Sequence, residues 1–367
     1  MEEIKNDPFE EYIKSLPPAR RELGQAWSAA IGLQDVDGLK PSEYLYATAK
    51  KNIDGEITID EAGRLINSYY ETAKGREAQG FEEADKVSQR IAKLLSDSSF
   101  VFSPVQYISI HRELFQGIFP HAGKLRDYNI SKREWVLDGA SVSYGSAAYL
   151  RETLEYDLSQ ERDFRYNGLT ISEVIKHLAV FISRLWQIHV FCEGNTRTTA
   201  VFLIKYIRQL GFEANNDMFA EHSWYFRNAL VRANYNDLKK GVYETTEYIE
   251  KFLRNLLLNE DNELHNREMH ISGIFSVNQN TDPVNDPVND PVSDPVSDPV
   301  NKSSLTEREK QIIKLMRAEP GITRFKMAEA LGCSEATIKR ALRAMSEKKI
   351  IQRTGSDKKG EWIILEV

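Results

Sequence analysis

The residues His-Val-Phe-Cys-Glu-Gly-Asn-Thr-Arg, at positions 189 to 197, bring together side chains that can act on a charged substrate. His189 titrates near neutral pH, so it can accept a proton from an attacking hydroxyl. Glu193 can bind a hard cation such as Mg²⁺, which prefers one or two carboxylates together with phosphate oxygens. The spacing therefore makes His189 a candidate base and Glu193 a candidate metal ligand.

The second half of the same segment indicates an anion site. The next helix begins near Thr196, so Gly194 and Asn195 present free backbone N–H groups at a helix N-terminus, where the helix dipole also favours negative charge. Arg197 in the first turn runs against that dipole, and a bound phosphate would explain its presence. Singly, each residue has an ordinary explanation as a cap or a turn. Only the combination indicates a site.

The elements that must position this segment are helical. Apolar residues recur at three- and four-residue spacings, which predicts a mainly α-helical body. The predicted helices are 81–96, 104–119, 146–160, 171–188, 199–212, 218–235 and 243–258. Between the second and third, β-branched and aromatic residues surround Asp138-Gly139, which predicts a β-hairpin at 128–145.

Five copies of Asp-Pro-Val-(Asn/Ser) follow the body at positions 282 to 301. A proline in every fourth position removes a backbone donor and biases the preceding residue away from helix. The repeat is therefore predicted to be an extended acidic linker, with a reach of at most about 60 Å. A repeat that binds something itself is the less favoured interpretation.

The region after the linker has the pattern of a winged helix-turn-helix. Three short helices, at 305–320, 324–332 and 334–349, precede two strands around a charged turn. From Lys302 onward there are 15 basic and 9 acidic side chains, against 33 and 46 before it. A basic module on an acidic body suggests a polyanionic partner, and a protein-interaction module of the same shape is the alternative. The candidates for DNA contact are Lys339, Arg340, Arg343, Lys358 and Lys359.

The composition indicates the cellular compartment and argues against several kinds of site. Cys192 and Cys333 are the only cysteines and have no metal-ligand spacing, so neither a disulfide framework nor a zinc site is supported. No apolar run approaches the ~18 residues of a membrane span, and the N-terminus is charged rather than signal-like. We therefore expect a soluble protein of the cytoplasm, with no membrane partner.

The segment at 189–197 resembles the Fic motif, His-x-Phe-x-(Asp/Glu)-Gly-Asn-x-Arg. The resemblance extends over roughly residues 80 to 260, and includes the stretch 115–130 ahead of the loop. Membership of the Fic family implies transfer of AMP from ATP to a Ser, Thr or Tyr hydroxyl of a target protein, with Mg²⁺. It implies His189 as the base, Glu193 as the Mg²⁺ ligand and Phe191 as the loop anchor. The phosphate cradle would be formed by Gly194, Asn195, Thr196 and Arg197.

The resemblance also assigns roles to the surroundings of the loop. The hairpin at 128–145 occupies the place of the family's target-docking flap, which aligns the target chain by backbone pairing. Its implied docking residues are Asn129, Ile130, Ser131, Ser141, Val142, Ser143 and Tyr144. The fold class is then a mainly α Fic core with a hairpin flap and a small α+β winged helix. The predicted divisions are 1–79, 80–260, 261–301 and 302–367.

The chain departs from the family pattern at three motif positions. Val190 replaces a usual proline, and Ala200 stands where the family has a second arginine. Thr196 replaces a second glycine, which is expected to add a side chain close to the phosphates. Loss of a phosphate-binding arginine removes a charge-assisted contact of about 1.5 to 3 kcal/mol. The stretch 22–46 also resembles the family's inhibitory helix region, with Asp37 in place of its glutamate and Leu33 in place of its hydroxyl residue. We therefore predict that residues 1 to 60 do not inhibit through an ion pair between Asp37 and position 200.

Several functions stay open on the sequence alone. The leading interpretation is a protein adenylyltransferase that a winged helix localises to DNA or to a DNA-bound partner. The first alternative is a nucleotide-sensing transcription regulator with a degenerate Fic domain, which Thr196 and Ala200 favour and His189 opposes. A Fic domain that transfers another phosphate-containing group, and an antitoxin-like partner of a second Fic enzyme, are further alternatives. The sequence defines neither the target nor the oligomeric state, for which a homodimer is one option.

Overall fold

The protein is described here from a computed structural model. The structure describes residues 8–72, 78–214, 217–272, 294–295, 307–319, 321–331, 333, 335–347, 351–354 and 361–364. Within these ranges most residues are helical and the strands are short. No helix among them is long and apolar enough to cross a membrane.

The N-terminal part is a group of four helices. They are α1 (Pro8–Ser15), α2 (Pro18–Gly32), α3 (Glu43–Ile53) and α4 (Ile59–Glu71), and a 3₁₀ helix, Leu33–Asp37, follows α2 directly. Ser42 caps α3, since its hydroxyl accepts from the N–H of Leu45. Thr58 and Glu61 form a reciprocal capping box at the start of α4. These caps fix where α3 and α4 begin.

The central part contains seven further helices. They are α5 (Glu82–Ser96), α6 (Pro104–Phe115), α7 (Leu150–Asp163), α8 (Ile171–Ile188), α9 (Asn195–Gln209), α10 (Asp217–Arg232) and α11 (Glu247–Leu258). Thr170 and Glu173 cap α8 reciprocally. All seven predicted helices are confirmed, and their ends shift by a few residues because capping decides where each one stops.

One hydrophobic core joins the N-terminal helices to the central ones, with buried members from Phe9 to Met269. Gly32 at the end of α2 explains the close approach of α10, because a Cβ there would lie 2.4 Å from the backbone of Ala220. The 3₁₀ helix is thereby fixed beside α9 and α10. The predicted division between residues 79 and 80 stays a prediction, and it runs through this shared core.

The predicted hairpin at 128–145 turns where expected but does not form a two-stranded ladder. Asp138 and Gly139 adopt left-handed backbone angles, with φ of 55° and 80°. Asp138 and Gly139 follow a 3₁₀ turn, Trp135–Leu137. Backbone hydrogen bonds within this turn stabilise it in place of a regular ladder between two strands. A strand, β1 (Ile130–Ser131), pairs antiparallel with β2 (Asp294–Pro295) rather than with the other arm of the flap. The β-hairpin prediction is therefore corrected to a looped flap with one short strand.

The C-terminal part has the predicted winged-helix elements. They are α12 (Glu307–Ala318), α13 (Arg324–Leu331), α14 (Glu335–Glu347), β3 (Ile351–Thr354) and β4 (Glu361–Ile364), and β3 pairs antiparallel with β4. A second core, with Ile338, Leu342 and Met345 of α14 at its centre, holds them together. Of the linker repeat, only Asp294 and Pro295 lie within the described residues.

Candidate active site

The backbone at the end of α8 directs His189 into the protein. His189 adopts a left-handed conformation, with φ 51° and ψ 56°, which is uncommon for a residue with a side chain. Arg126 holds this turn, because its Nε donates to the carbonyl of His189 at 2.7 Å and its backbone N–H donates to Val190 at 2.9 Å. Its guanidinium also donates to the carbonyls of Tyr128 and Gly145. A strained residue held this firmly is typical of a functional site.

The imidazole of His189 is buried and only 1% exposed. The ring of Tyr144 lies 4.3 Å from it, and the ring of Trp186 lies 5.2 Å away at a right angle. Burial lowers the pKa of His189 well below its usual value; the charges of Lys132 and Arg126 lower it further, while the backbone of Trp186 opposes the shift. Neither ring nitrogen has a hydrogen bond of ordinary geometry among the described residues. The ring is therefore neutral and able to accept a proton.

A second histidine, His111 of α6, contacts the loop through the carbonyl of Glu193 and the ring of Phe191. Its Nδ1 accepts from the backbone of Gly123 at 2.8 Å, which leaves Nε2 to donate to the carbonyl of Glu193 at 3.0 Å. The ring stacks on Phe191, with centroids 3.7 Å apart. Burial lowers the pKa of His111 to about 3, although the bond to Glu193 opposes the shift. Phe191 is fully buried, as expected for the predicted loop anchor.

The start of α9 provides the predicted anion-binding geometry. Gly194 is its N-cap, with φ 73°. A Cβ at this position would lie 2.4 Å from the ring of Phe115, so only glycine fits. Asn195 bridges the loop, because its side chain accepts from the N–H of Phe191 at 3.0 Å and donates to its carbonyl at 2.8 Å. The side-chain amide is therefore occupied within the loop, which leaves the backbone N–H of Asn195 as the group available to a phosphate.

The side chain of Thr196 is held away from the phosphate position. Its hydroxyl accepts from the indole N–H of Trp186 at 3.0 Å, and the residue is 7% exposed. The expectation that this threonine adds a side chain close to the phosphates is not supported by that geometry. Its contribution to a cradle would come from its backbone N–H.

Arg197 points into the protein and is almost completely paired. Its Nε lies 2.8 Å from a carboxylate oxygen of Asp37, one terminal nitrogen donates to Glu83 at 2.8 Å, and the other donates to Gln34 at 3.0 Å. The guanidinium also lies 4.7 Å from the centre of the Phe115 ring. Burial alone would lower the pKa of Arg197, but the carboxylates of Asp37 and Glu83 raise it above the usual value.

Comparison with known proteins identifies this arrangement. Residues 101–207, which include the whole loop, match the model of the Fic/DOC family. The chain contains a Fic/DOC domain. Residues 305–352 match the model of a winged helix-turn-helix DNA-binding domain.

Two solved structures are similar to this chain at low identity. One is the N-terminal FIC domain of the Bep8 protein, a VirB-translocated Bartonella effector protein from Bartonella sp. 1-1C. It shows 18% identity and a TM-score of 0.38, over 51% of this chain and 87% of that one. The other is a Fic family protein from Desulfovibrio desulfuricans G20, with 14% identity and a TM-score of 0.40, over 96% of this chain and 90% of that one. Likenesses of this size do not transfer an activity.

The contacts of Asp37 reveal a partner that the sequence analysis did not assign to it. The sequence analysis predicted no ion pair between Asp37 and position 200, because position 200 holds alanine. In the structure Asp37 instead pairs with Arg197, one turn earlier on α9. Ala200 itself is fully buried in the hydrophobic core. The carboxylate of the N-terminal segment therefore reaches the Fic loop, through the first arginine rather than the second.

The predicted docking residues of the flap are brought near the loop but differ in exposure. Ile130 and Val142 are buried, at 4% and 3% exposure, so their side chains support the flap rather than meet a target. Asn129 accepts from the N–H of Ala147. The hydroxyl of Ser141 accepts from the N–H of Lys132, which ties the two arms together.

The last two flap residues, Ser143 and Tyr144, connect the flap to α8 and to His189. The carbonyl of Ser143 accepts from Gln187 of α8 at 3.0 Å. Tyr144 donates to Glu134 at 2.9 Å while its ring packs on His189, and Glu134 in turn lies 2.8 Å from Arg227. The position of His189 therefore depends on the flap as well as on its own helix.

Several residues that shape the Fic site were not found from the sequence. Each is distant in the chain from positions 189–197 and carries no motif of its own, so only the fold brings it near. Arg126 lay within the stretch 115–130 that the resemblance covered, without a role of its own. The residues missed are Gln34, Glu83, His111, Phe115, Arg126 and Glu134.

The donor set around Glu193 suits a cation that takes most of its ligands from a substrate. No group of three or more His, Cys, Asp or Glu side chains that could hold a metal occurs among the described residues. Glu193 is half-buried, and its carbonyl is fixed by His111. A single half-buried carboxylate fits Mg²⁺, which binds through one or two carboxylates plus phosphate oxygens.

The DNA-contact candidates are only partly described. Lys339 is exposed on α14, as expected for a residue that meets a phosphate backbone. Arg340 and Arg343 lie on the same helix, and their side chains are outside the described part. Lys358 and Lys359 lie outside the described residues altogether.

Proposed function

We propose that this chain is a Fic-type transferase that moves AMP from ATP to a Ser, Thr or Tyr hydroxyl of a target protein, releasing pyrophosphate. The observation that carries the proposal is the buried, neutral ring of His189 in the Fic loop. A buried polar group without a hydrogen-bond partner is rare in proteins and calls for an explanation such as a catalytic role. Its neighbours, a glutamate and a helix N-terminus, suit a nucleotide.

In this proposal each loop residue has one task. His189 accepts the proton of the target hydroxyl as the hydroxyl oxygen attacks the α-phosphorus, and the bond to the pyrophosphate oxygen breaks. The backbone N–H groups of Asn195 and Thr196 bind phosphate oxygens at the start of α9. Glu193 would hold Mg²⁺, which neutralises phosphate charge when bound. The negative charge of the bound triphosphate would raise the pKa of His189 toward the useful range.

The flap would select and align the target. β1 presents a short edge that already pairs with another backbone segment, and such edges bind extended chains by strand addition. The partner class is therefore a protein with an accessible extended segment that carries a hydroxyl side chain. Through its winged helix the chain would act on or near DNA.

The occupied state of Arg197 supports a second candidate. Each nitrogen of Arg197 already contacts a partner, Asp37, Glu83 or Gln34, so a phosphate would have to compete with these groups for the guanidinium, and Ala200 supplies no second cation. A nucleotide-sensing regulator without transfer activity would tolerate this arrangement. Transfer of a different phosphate-containing group is also compatible with the loop.

The deciding experiment incubates the full chain with α-labelled or γ-labelled ATP, Mg²⁺ and a cell lysate. We expect α-label on protein, and its loss in His189→Asn, because asparagine tolerates the left-handed backbone but cannot act as a base. γ-label alone would indicate phosphorylation. If no protein is labelled although the chain binds ATP measurably, the transferase proposal is wrong and the nucleotide-sensing regulator is favoured.

A further inference from the structure

The third helix of the winged domain contacts the catalytic loop of the Fic domain. The hydroxyl of Thr337, in the first turn of α14, donates to a carboxylate oxygen of Glu193 at 3.5 Å. Thr337 is buried, at 5% exposure. The carboxylate it meets is the one proposed to hold Mg²⁺.

A second contact connects the same helix to the flap. α14 packs on β2, and β2 pairs with β1 of the flap in the register Ile130 with Pro295 and Ser131 with Asp294. The C-terminal part of the chain therefore meets the catalytic face at two places, the flap edge and Glu193. Both contacts lie on the face that a target protein would have to approach.

Charge favours this docked arrangement. The residues before Lys302 carry 46 acidic and 33 basic side chains, whereas those from Lys302 onward carry 9 and 15. Glu193, Glu83 and Asp37 cluster at the site: burial raises the pKa of Glu83, the charges of Asp37 and Glu193 add to this, and Arg197 opposes it. The exposed Lys339 of α14 adds a positive charge to the helix that meets this acidic site.

In a winged helix-turn-helix the third helix is the one that enters the DNA groove. The surface of α14 that meets Glu193 cannot meet DNA at the same time. We propose that α14 is shared between DNA and the catalytic loop, so that the chain covers its own Fic site until DNA takes the helix. The consequence for catalysis rests on the proposed transferase function, whereas the competition for α14 does not.

The competition predicts that weakening the contact from the Fic side strengthens DNA binding. A mixed-sequence DNA duplex is titrated at low salt with the full chain, with Glu193→Arg, and with Glu155→Arg as the control. Glu155 is exposed on α7, so the control makes the same charge change away from the loop. We expect Glu193→Arg to bind DNA roughly threefold or more tighter than Glu155→Arg, because the fraction of chains with α14 free increases. Equal affinities of the two variants would overturn the proposal, as would no DNA binding by either of them.

A second measurement uses the unmodified chain and needs no activity. Hydrogen exchange of the amides at 190–196 is followed with and without saturating DNA duplex. We expect faster exchange in this segment when DNA is bound, because α14 leaves Glu193. Unchanged or slower exchange with DNA bound would overturn the competition, and would leave the transferase proposal to its own labelling test.

Discussion

The two ends of the Fic loop at 189–197 are both buried, yet the side chains at these ends are in opposite states. At one end, the ring of His189 is neutral and has no well-formed hydrogen bond in the described part of the chain. At the other, Arg197 is charged and paired with Asp37, Glu83 and Gln34. The difference indicates a site in which the His189 ring is free to accept a proton, whereas the Arg197 guanidinium is bound by side chains of the protein itself. In the proposed transferase, nucleotide binding would then depend on how well the nucleotide competes with these partners for Arg197.

The largest expected effect comes from removing the base. His189→Asn should lower label transfer by about 10² to 10⁴, the usual contribution of a positioned general base. His177→Asn is the control, because His177 lies on the same helix but pairs with Glu161. Initial rates at saturating ATP and thermal melting of both variants make the comparison. Loss of transfer in both, with unchanged melting, would remove His189 from its special role.

The buried histidines should also make stability depend on pH. The pKa of His111 is lowered to about 3, so the unfolded chain takes up its proton near pH 6.5 while the folded chain does not. This contribution to stability is complete above about pH 6.5 and is lost as the pH falls toward 3, by about 1.4 kcal/mol per unit. Urea unfolding of the wild type and His111→Phe at several pH values isolates it. The wild type should lose stability faster on acidification, and parallel curves would contradict the assignment.

Removing the cation should leave its partners buried and unpaired. Arg197→Ala is expected to cost about 3 kcal/mol of folding stability, since breaking a buried ion pair from one side strands the other charge. Asp37 and Glu83 keep some solvent contact, which places the cost at the low end of that range. The triple variant with Asp37→Asn and Glu83→Gln should recover part of the loss. Chemical denaturation gives the free energy of unfolding of the wild type, Arg197→Ala and the triple variant. No recovery in the triple variant would mean that packing of Arg197 on Phe115 dominates.

A smaller effect is expected at the turn between the two ends. Gly194→Ala would strain a left-handed residue and push a methyl group against Phe115, at a cost of about 1 to 3 kcal/mol. Gly211→Ala is the matched control, since it is also left-handed but has open space around its Cβ position. The difference in melting temperature between the two variants reports the contact with Phe115 alone. Equal melting temperatures would show that this contact is relaxed at little cost.

The loop and its helices could be predicted from the sequence because their signals are local. Apolar spacing defined α8 and α9, and the motif at 189–197 placed His189, Glu193 and Gly194 without any long-range contact. The winged helix could be predicted equally well, because its turn and its charged residues lie within a short stretch of the sequence. Both predictions agree with the matches to the Fic/DOC and winged-helix models.

The partners of the loop could not be predicted, because they arrive from distant parts of the chain. Gln34 and Glu83 reach Arg197 across separations of 163 and 114 residues, and nothing in their own neighbourhoods marks them. Asp37 was noticed, but it was matched with position 200, because the spacing of a motif does not show which arginine of α9 a distant carboxylate will contact. The flap was predicted as a hairpin because turn propensity at Asp138-Gly139 does not reveal which backbone its strand will pair with.

The held arginine is tested most directly by ATP affinity. Asp37→Ala should free the Nε of Arg197 for a phosphate and tighten ATP binding by up to about tenfold, or about 1.4 kcal/mol. Asp54→Ala is the control, because Asp54 pairs with Arg20 at the surface, away from the site. Isothermal titration of the full chain with ATP and Mg²⁺ gives the comparison. Tighter binding by Asp37→Ala alone is the predicted result, and unchanged or weaker binding would contradict an arginine held by its own chain.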